Sequence, residues 1–355
     1  MQKKIMTLFI LCAFAKAQTL SIEKNKGAEL INVLQYLYYT QINTNPEIQV
    51  AFDYNRKRFS YFQKVDAFFG SYLRHEVFKA FAIYTSKQSI TDATYLRLGL
   101  LLQGFPNPYI TPEKVQMLNA DNFYHYRFNL VDSTKTQYFL TQAIAFYHDT
   151  NFDFFLQSVK QEENQALEKL KMAFLAHDLV SYNQFFRLKS NAKNYKIIPQ
   201  ELMPVSFVSE IEPINDVFHL FIATFIEDVN EIRKFIAHEV LHTYISPSTI
   251  KHKALEEKFT HLFENLKQTR YPTASWNDHW NESWVRAILP FLLYPQDVQK
   301  RKDSWHYEEQ QGFKYIPFIV NQIEEIYLKY PKMTFDNFYK QTFEVFEKYL
   351  QEAIF

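Results

Sequence analysis

An α+β fold, mainly α, is what three features of this 355-residue sequence predict. Apolar residues make up 47% of it, enough for a sizeable core and too many for a disordered chain. It holds only 5 Gly against 35 Phe and 24 Tyr, which suits long helices with short connections and disfavours glycine-rich phosphate loops. Apolar residues follow the helical period over most of the length and turn strand-like only between 178 and 226.

At the N-terminus, "MQKKIMTLFILCAFAKAQ" reads as an export signal. Lys3 and Lys4 supply the charge, Ile5 to Phe14 the apolar run, and Ala15-Lys16-Ala17 a small-x-small cleavage site. The run is too short for a bilayer of roughly 30 Å, so residues 1–17 are expected to be removed and the chain exported, periplasmic or released, with no transmembrane segment. Cys12, the single cysteine, leaves with the signal. Any metal must then be held by His, Asp or Glu. Basic and acidic residues balance at 39 each, and losing Lys3, Lys4 and Lys16 leaves 36 against 39. With no basic cluster, a nucleic-acid partner is not expected.

Residues 18–177 read as a helical layer. Leu30, Val33, Leu34 and Leu37 repeat at helical spacing, and further helices fit 56–70, 74–85, 91–103, 135–148, 151–159 and 163–176. "GFPNPYITP" (104–112) is a loop, with Thr111 able to cap a helix starting at Pro112. After a soft boundary, 178–355 forms a second region that packs with the first as one body. "VSYNQFFRL" (180–188), "ELMPVSFVSEI" (201–211) and "DVFHLFIATFI" (216–226) predict two or three strands, with Pro199, Pro204 and Pro213 at edges or turns. Helices return at 228–245, 251–268, 280–289, 311–329 and 334–353, with Pro247, Pro272, Pro290 and Pro331 between them.

The chemistry is in "IAHEVLHTYI" (236–245). On a helix, residues four apart lie about 40° apart around the axis and about 6 Å along it, so His238 and His242 can aim ring nitrogens at one ion. Zinc accepts neutral imidazoles, and Glu239 projects beside the ion, placed to take a proton from a water and return it to a leaving amine. "RHEVFK" (74–79) repeats half the motif, but Lys79 replaces the second histidine, so it reads as a charged helix face.

A catalytic zinc usually takes a third protein ligand. The extended form HExxHxxGxxH fails, because Ile245 and Ser248 stand where Gly and His would. Glu282 in "WNDHWNESWVRAIL" (276–289) is the leading candidate, on a later helix, with Arg286 four residues on able to orient or neutralise a neighbouring carboxylate. His279 and Asp278, at expected loop or N-cap positions, and His252 and Glu256 are alternatives. In this HExxH-then-glutamate order, with its "WNESW" Asn-Glu pattern, the sequence resembles the gluzincin metallopeptidases. The resemblance implies a zincin-like region with a small sheet, and zinc held by His238, His242 and Glu282. The order of "ELINVLQYL", "HEVFKAF", "ITDATYLRLGLLLQGF", the HExxH helix, "NESWVRA" and "QGFKYIPFIV" also resembles an uncharacterised family of secreted bacterial HExxH proteins, over nearly the whole mature chain.

A peptidase of this kind also needs a donor for the developing oxyanion. Tyr307, then His306, in "DSWHYEEQQGF" (303–313) are the candidates, whereas Tyr244 is expected to point away. The leading expectation is therefore a secreted zinc metallopeptidase acting on peptides or proteins, with Glu239 as general base. The alternatives are a binding protein on the same scaffold with a structural or vestigial metal, and a helical interaction protein with no metal.

Overall fold

The computed structural model describes residues 19–43, 46–85, 94–111, 133–175, 178–188, 193–203, 208–214, 217–266, 273 and 275–352. The expected export signal and cleavage site, Pro112, Pro204 and Pro272 lie outside them. The fold is α+β and mainly α. Strand β1 (Leu20–Ile22) leads into α1 (Lys26–Leu37), α2 (Pro46–Arg58), α3 (Ser60–Phe69), α4 (Glu76–Thr85), α5 (Thr94–Leu101), α6 (Ser133–Asp149), α7 (Phe152–Ser158), α8 (Lys160–Ala173) and α9 (Asp178–Phe186). Strands β2 (Asn194–Gln200), β3 (Val208–Ile214) and β4 (Val217–Ala223) follow, then α10 (Val229–Lys251) and α11 (Lys253–Glu256). A 3-10 stretch over Glu257–Asn265 precedes α12 (Trp276–Leu293), α13 (Val298–Gln310), α14 (Ile316–Gln322), a π-helical turn (Ile323–Tyr327) and α15 (Phe335–Glu352). Among the described residues no helix is long and apolar enough to cross a membrane.

The sheet runs β1-β2-β4-β3. β1, β2 and β4 are parallel, and β3 is an antiparallel edge. β1 comes from the N-terminal region yet pairs with β2, so the sheet joins both halves of the chain. Alternation then divides its faces. Tyr195, Ile197, Leu220 and Ile222 pack into the C-terminal core, while Ile198, Phe221 and Ala223 meet Ala28 and Leu96 of the helical layer. α1 and α5 approach backbone to backbone, because a Cβ on Gly27 would lie 2.0 Å from the Gly99 carbonyl oxygen. Where the layer meets the sheet, Lys24 is ringed by Glu201 at 2.5 Å, Glu29 at 3.2 Å and Glu163 at 3.6 Å.

Several expectations are corrected. The strand expected at 180–188 is helical, because Leu179, Tyr182 and Phe186 are buried at spacings of three and four. The strand before β3 lies at 194–200, in "NYKIIPQ". Its Pro199 is tolerated because β1 covers only Tyr195 to Ile197, and Pro213 sits in the β3 bulge between Ile211 and Ile214. Pro247 and Pro290 fall inside helices rather than between them. Helix α13 was not anticipated: its polar sequence carries almost no amphipathic pattern, and it is held by Trp305 and Glu308.

Candidate metal centre

Helix α10 carries the HExxH residues. Asp228 caps it, accepting from the Asn230 amide at 2.8 Å. Ile232, Ile236, Ala237, Val240, Leu241, Tyr244 and Ile245 bury most of its surface. Pro247 has no N–H to give the Thr243 carbonyl, so that oxygen loses its helical partner. The Lys193 ammonium donates to it instead, seated 4.7 Å from the Tyr244 ring centre and 5.1 Å from that of Phe218. The helix thus runs through its proline, five residues after His242.

Helix α12 brings the facing side chains. Ser275 caps it by accepting from the Asp278 amide at 3.2 Å. Trp276, Trp280 and Trp284 recur every four residues and are at most 2% exposed. They pack on Phe335, Phe338, Tyr339, Phe343 and Phe346 of α15. This aromatic seam sets the rotation of α12, and so where Asn281 and Glu282 point.

His238 Nε2 and His242 Nε2 lie 3.2 Å apart. Glu282 places Oε2 3.3 Å from the first and Oε1 3.2 Å from the second. Glu239 adds its carboxylate, so that His238, Glu239 and His242 offer ligand atoms within 4.8 Å of one another, a group able to hold a metal ion. Burial works against charge on His238, His242 and Glu282. It still leaves Glu282 far below the usual carboxylate range, because both imidazoles lie beside it. His242 is likewise burdened by burial, but Glu282 raises it to about 9. Burial dominates at His238 and lowers it. Without a metal the extra proton therefore sits on His242, against the carboxylate, and His238 is neutral.

Neighbouring groups orient these atoms. His242 Nδ1 donates to Asn281 Oδ1 at 2.7 Å, and Asn281 Nδ2 donates to Thr249 Oγ1 at 2.9 Å. The second bond identifies which amide atom faces His242. The first holds a proton on Nδ1, so that once the ring is neutral its Nε2 lone pair faces the cluster. The chain continues from Thr249 to the Tyr339 hydroxyl at 3.1 Å, which donates to Glu256 at 2.7 Å. Arg286 lies 3.2 Å from Glu282 Oε2 and donates to Glu308 Oε2 at 2.6 Å.

The other residues singled out from the sequence go elsewhere. His279 is not in a loop: it lies inside α12, fully buried, stacked on Phe313 at 5.0 Å, and burial lowers it to about 4. Asp278 lies in the first turn of the same helix. His252 pairs with Asp336 at 3.0 Å. His306 and Tyr307 are neighbours on α13, about 100° apart around its axis, so both cannot face α10. Tyr307 does, with the Lys234 ammonium 5.9 Å from its ring centre and Lys234 one turn before His238. His306 bonds Gln310 at 2.9 Å on its own helix and stays exposed. Tyr244 turns away to Asn183 at 3.0 Å. His75 and Glu76 pair with Asp149 and Lys79 on a charged helix face. Sequence reasoning assigned no role to Asn281, Lys193 or Glu308. The adjacency of Asn281 to Glu282 was a signal, while nothing local marks the other two.

Residues 126–345 match the family described as "Domain of unknown function (DUF4932)", and the chain belongs to that family. The match begins after "ELINVLQYL", "HEVFKAF" and "ITDATYLRLGLLLQGF", so the extent expected from those segments is reduced. No curated protein and no solved structure matches the chain.

Proposed function

We propose that this member of the DUF4932 family is an exported zinc metallopeptidase, with His238, His242 and Glu282 holding the ion and Glu239 as general base. The observation that carries this reading is the convergence of two imidazole nitrogens and a carboxylate at 3.2–3.3 Å from one another. Ligands about 2.0–2.1 Å from a tetrahedral zinc stand about 3.3 Å apart. Glu282 Oε2 supplies a second test of fit. It is buried and accepts no hydrogen bond, although His238 and Arg286 are close, so a lone pair faces the cluster without a donor. A cation between these atoms would satisfy it. The two nitrogen and one oxygen donors suit zinc, and this set leaves a fourth position open.

Bound there, zinc would supply a Lewis acid that acidifies water and polarises a carbonyl. The chain's own residues do the rest. Asn281 keeps the His242 proton on Nδ1. Glu239, beside His238, takes a proton from the attacking water as its oxygen bonds to the peptide carbon, and delivers it to the amine nitrogen as the C–N bond breaks. β3, the antiparallel edge strand among the described residues, packs beside α10, where an extended peptide could add to the sheet.

The test is Glu239→Gln with a peptide library as substrate. It should retain about one zinc per chain and lose turnover by at least about a thousandfold. Hydrolysis by that variant at the parental rate would refute the mechanism. A parent that holds zinc and cleaves nothing would favour the binding-protein alternative.

A further inference from the structure

Arg286 stands between two carboxylates and treats them differently. Its Nη1 donates to Glu308 Oε2 at 2.6 Å. Its Nη2 is 3.2 Å from Glu282 Oε2, but no hydrogen bond forms there, and that oxygen is buried without a donor. A guanidinium is planar and its N–H directions are fixed, so anchoring one part aims the rest. Glu308 supplies the anchor from α13 and is only 5% exposed. The Phe313 ring, 4.3 Å away from centre to guanidinium carbon, covers the face. Together they hold the cation beside Glu282 with no N–H aimed into its lone pair.

We infer that Glu308 is a positioning residue for Glu282: by anchoring Arg286 it keeps a competing donor off the carboxylate oxygen that a metal ion would take. The inference rests on the reading of Glu282 as a zinc ligand. Its physical content is a competition. An oxygen that accepts a strong, charge-assisted hydrogen bond is a poorer metal ligand, and a freed Arg286 needs only a small rotation to donate one. The Arg286–Glu308 pair therefore has a role beyond joining α12 to α13, since each could pack as an apolar residue.

The experiment measures the zinc dissociation constant of the mature chain by competition with a chromophoric chelator, in the parent, Glu308→Leu, and the double variant Arg286→Met/Glu308→Leu. Thermal unfolding without metal checks that each is folded. Glu308→Leu should weaken zinc by about tenfold or more, the range for partners of metal ligands. The double variant should return to within about threefold of the parent, because the competing donor has gone with its anchor. An unchanged single variant, or a double variant as weak as the single, overturns the inference. If Glu308→Leu does not fold, Glu308→Met and Arg286→Met/Glu308→Met, which likewise remove the acceptor, carry the same comparison with the same expected order. A folded parent that binds no zinc overturns the underlying zinc reading, an outcome distinct from equal affinities across the series.

Discussion

Replacing Asn281 with Ala tests how the cluster is held together. Asn281 is 5% exposed, accepts from His242 Nδ1 at 2.7 Å and donates to Thr249 Oγ1 at 2.9 Å. Without it the His242 proton is free to sit on either nitrogen, and a ring protonated on Nε2 cannot ligate. The ring also loses the contact that fixes its tilt. Loss of such a partner costs about 10–100-fold in metal affinity, or about 1.4–2.7 kcal/mol. The hydrogen bonds to His242 and Thr249 disappear as well, at a net cost of about 1 kcal/mol each to the metal-free fold. Chelator competition reads the first quantity, and thermal unfolding of the metal-free protein reads the second. Reduced affinity in a folded Asn281→Ala chain is the expected result. Parental zinc affinity in a folded variant would refute the idea that Asn281 sets the tautomer.

Three further predictions follow from other contacts. His242, raised to about 9 without a metal, carries a proton below that pH which an ion must displace, so apparent zinc affinity should rise about tenfold per pH unit between about 6.5 and 8.5; a flat profile by chelator competition would contradict this. Lys193→Met strands the Thr243 carbonyl and should destabilise the fold by about 1–3 kcal/mol in urea unfolding, with Lys193→Met/Pro247→Ala recovering most of it by restoring an N–H; no recovery would mean the lysine acts otherwise. Burial and neighbouring carboxylates raise Glu163 to about 7 and Glu201 to about 8. The native state therefore keeps protons that the unfolded state has released, and stability should fall as pH rises from about 4.5 through about 8. Glu201→Gln should flatten that slope in pH-dependent thermal melts, and an unchanged slope would place the titration elsewhere.

Legibility varied with how local the cause was. The HExxH helix could be read directly, since spacing alone puts His238 and His242 on one face. The long apolar periods of α1 and α15 could be read likewise, whereas α12, expected from 280, begins at Trp276. The segment at 180–188 reads as a strand yet is helical, because aromatic residues suit both strands and buried helices and burial decides between them. Pro247 suggested a break, yet Lys193, fifty-four residues earlier, supplies the missing donor. Helix α13 was overlooked because its polar face pattern says little, while two buried contacts, Trp305 to the Ala287 carbonyl and Glu308 to Arg286, hold it.

By itself the sequence determined the mainly helical class, the spacing of the two histidines with Glu239 between them, and the presence of a single cysteine, Cys12, far from them in the chain. These follow from local periodicity and composition. Only the tertiary structure decided that Glu282, forty residues beyond His242, meets both imidazoles, that Asn281 holds one of them, that Tyr307 rather than His306 faces α10, and that β3 is the sheet edge beside that helix. The reason is geometric. A helix specifies what its own neighbours three and four residues away can reach, but which face of a second helix turns toward it depends on packing summed over the core, here the tryptophan seam between α12 and α15.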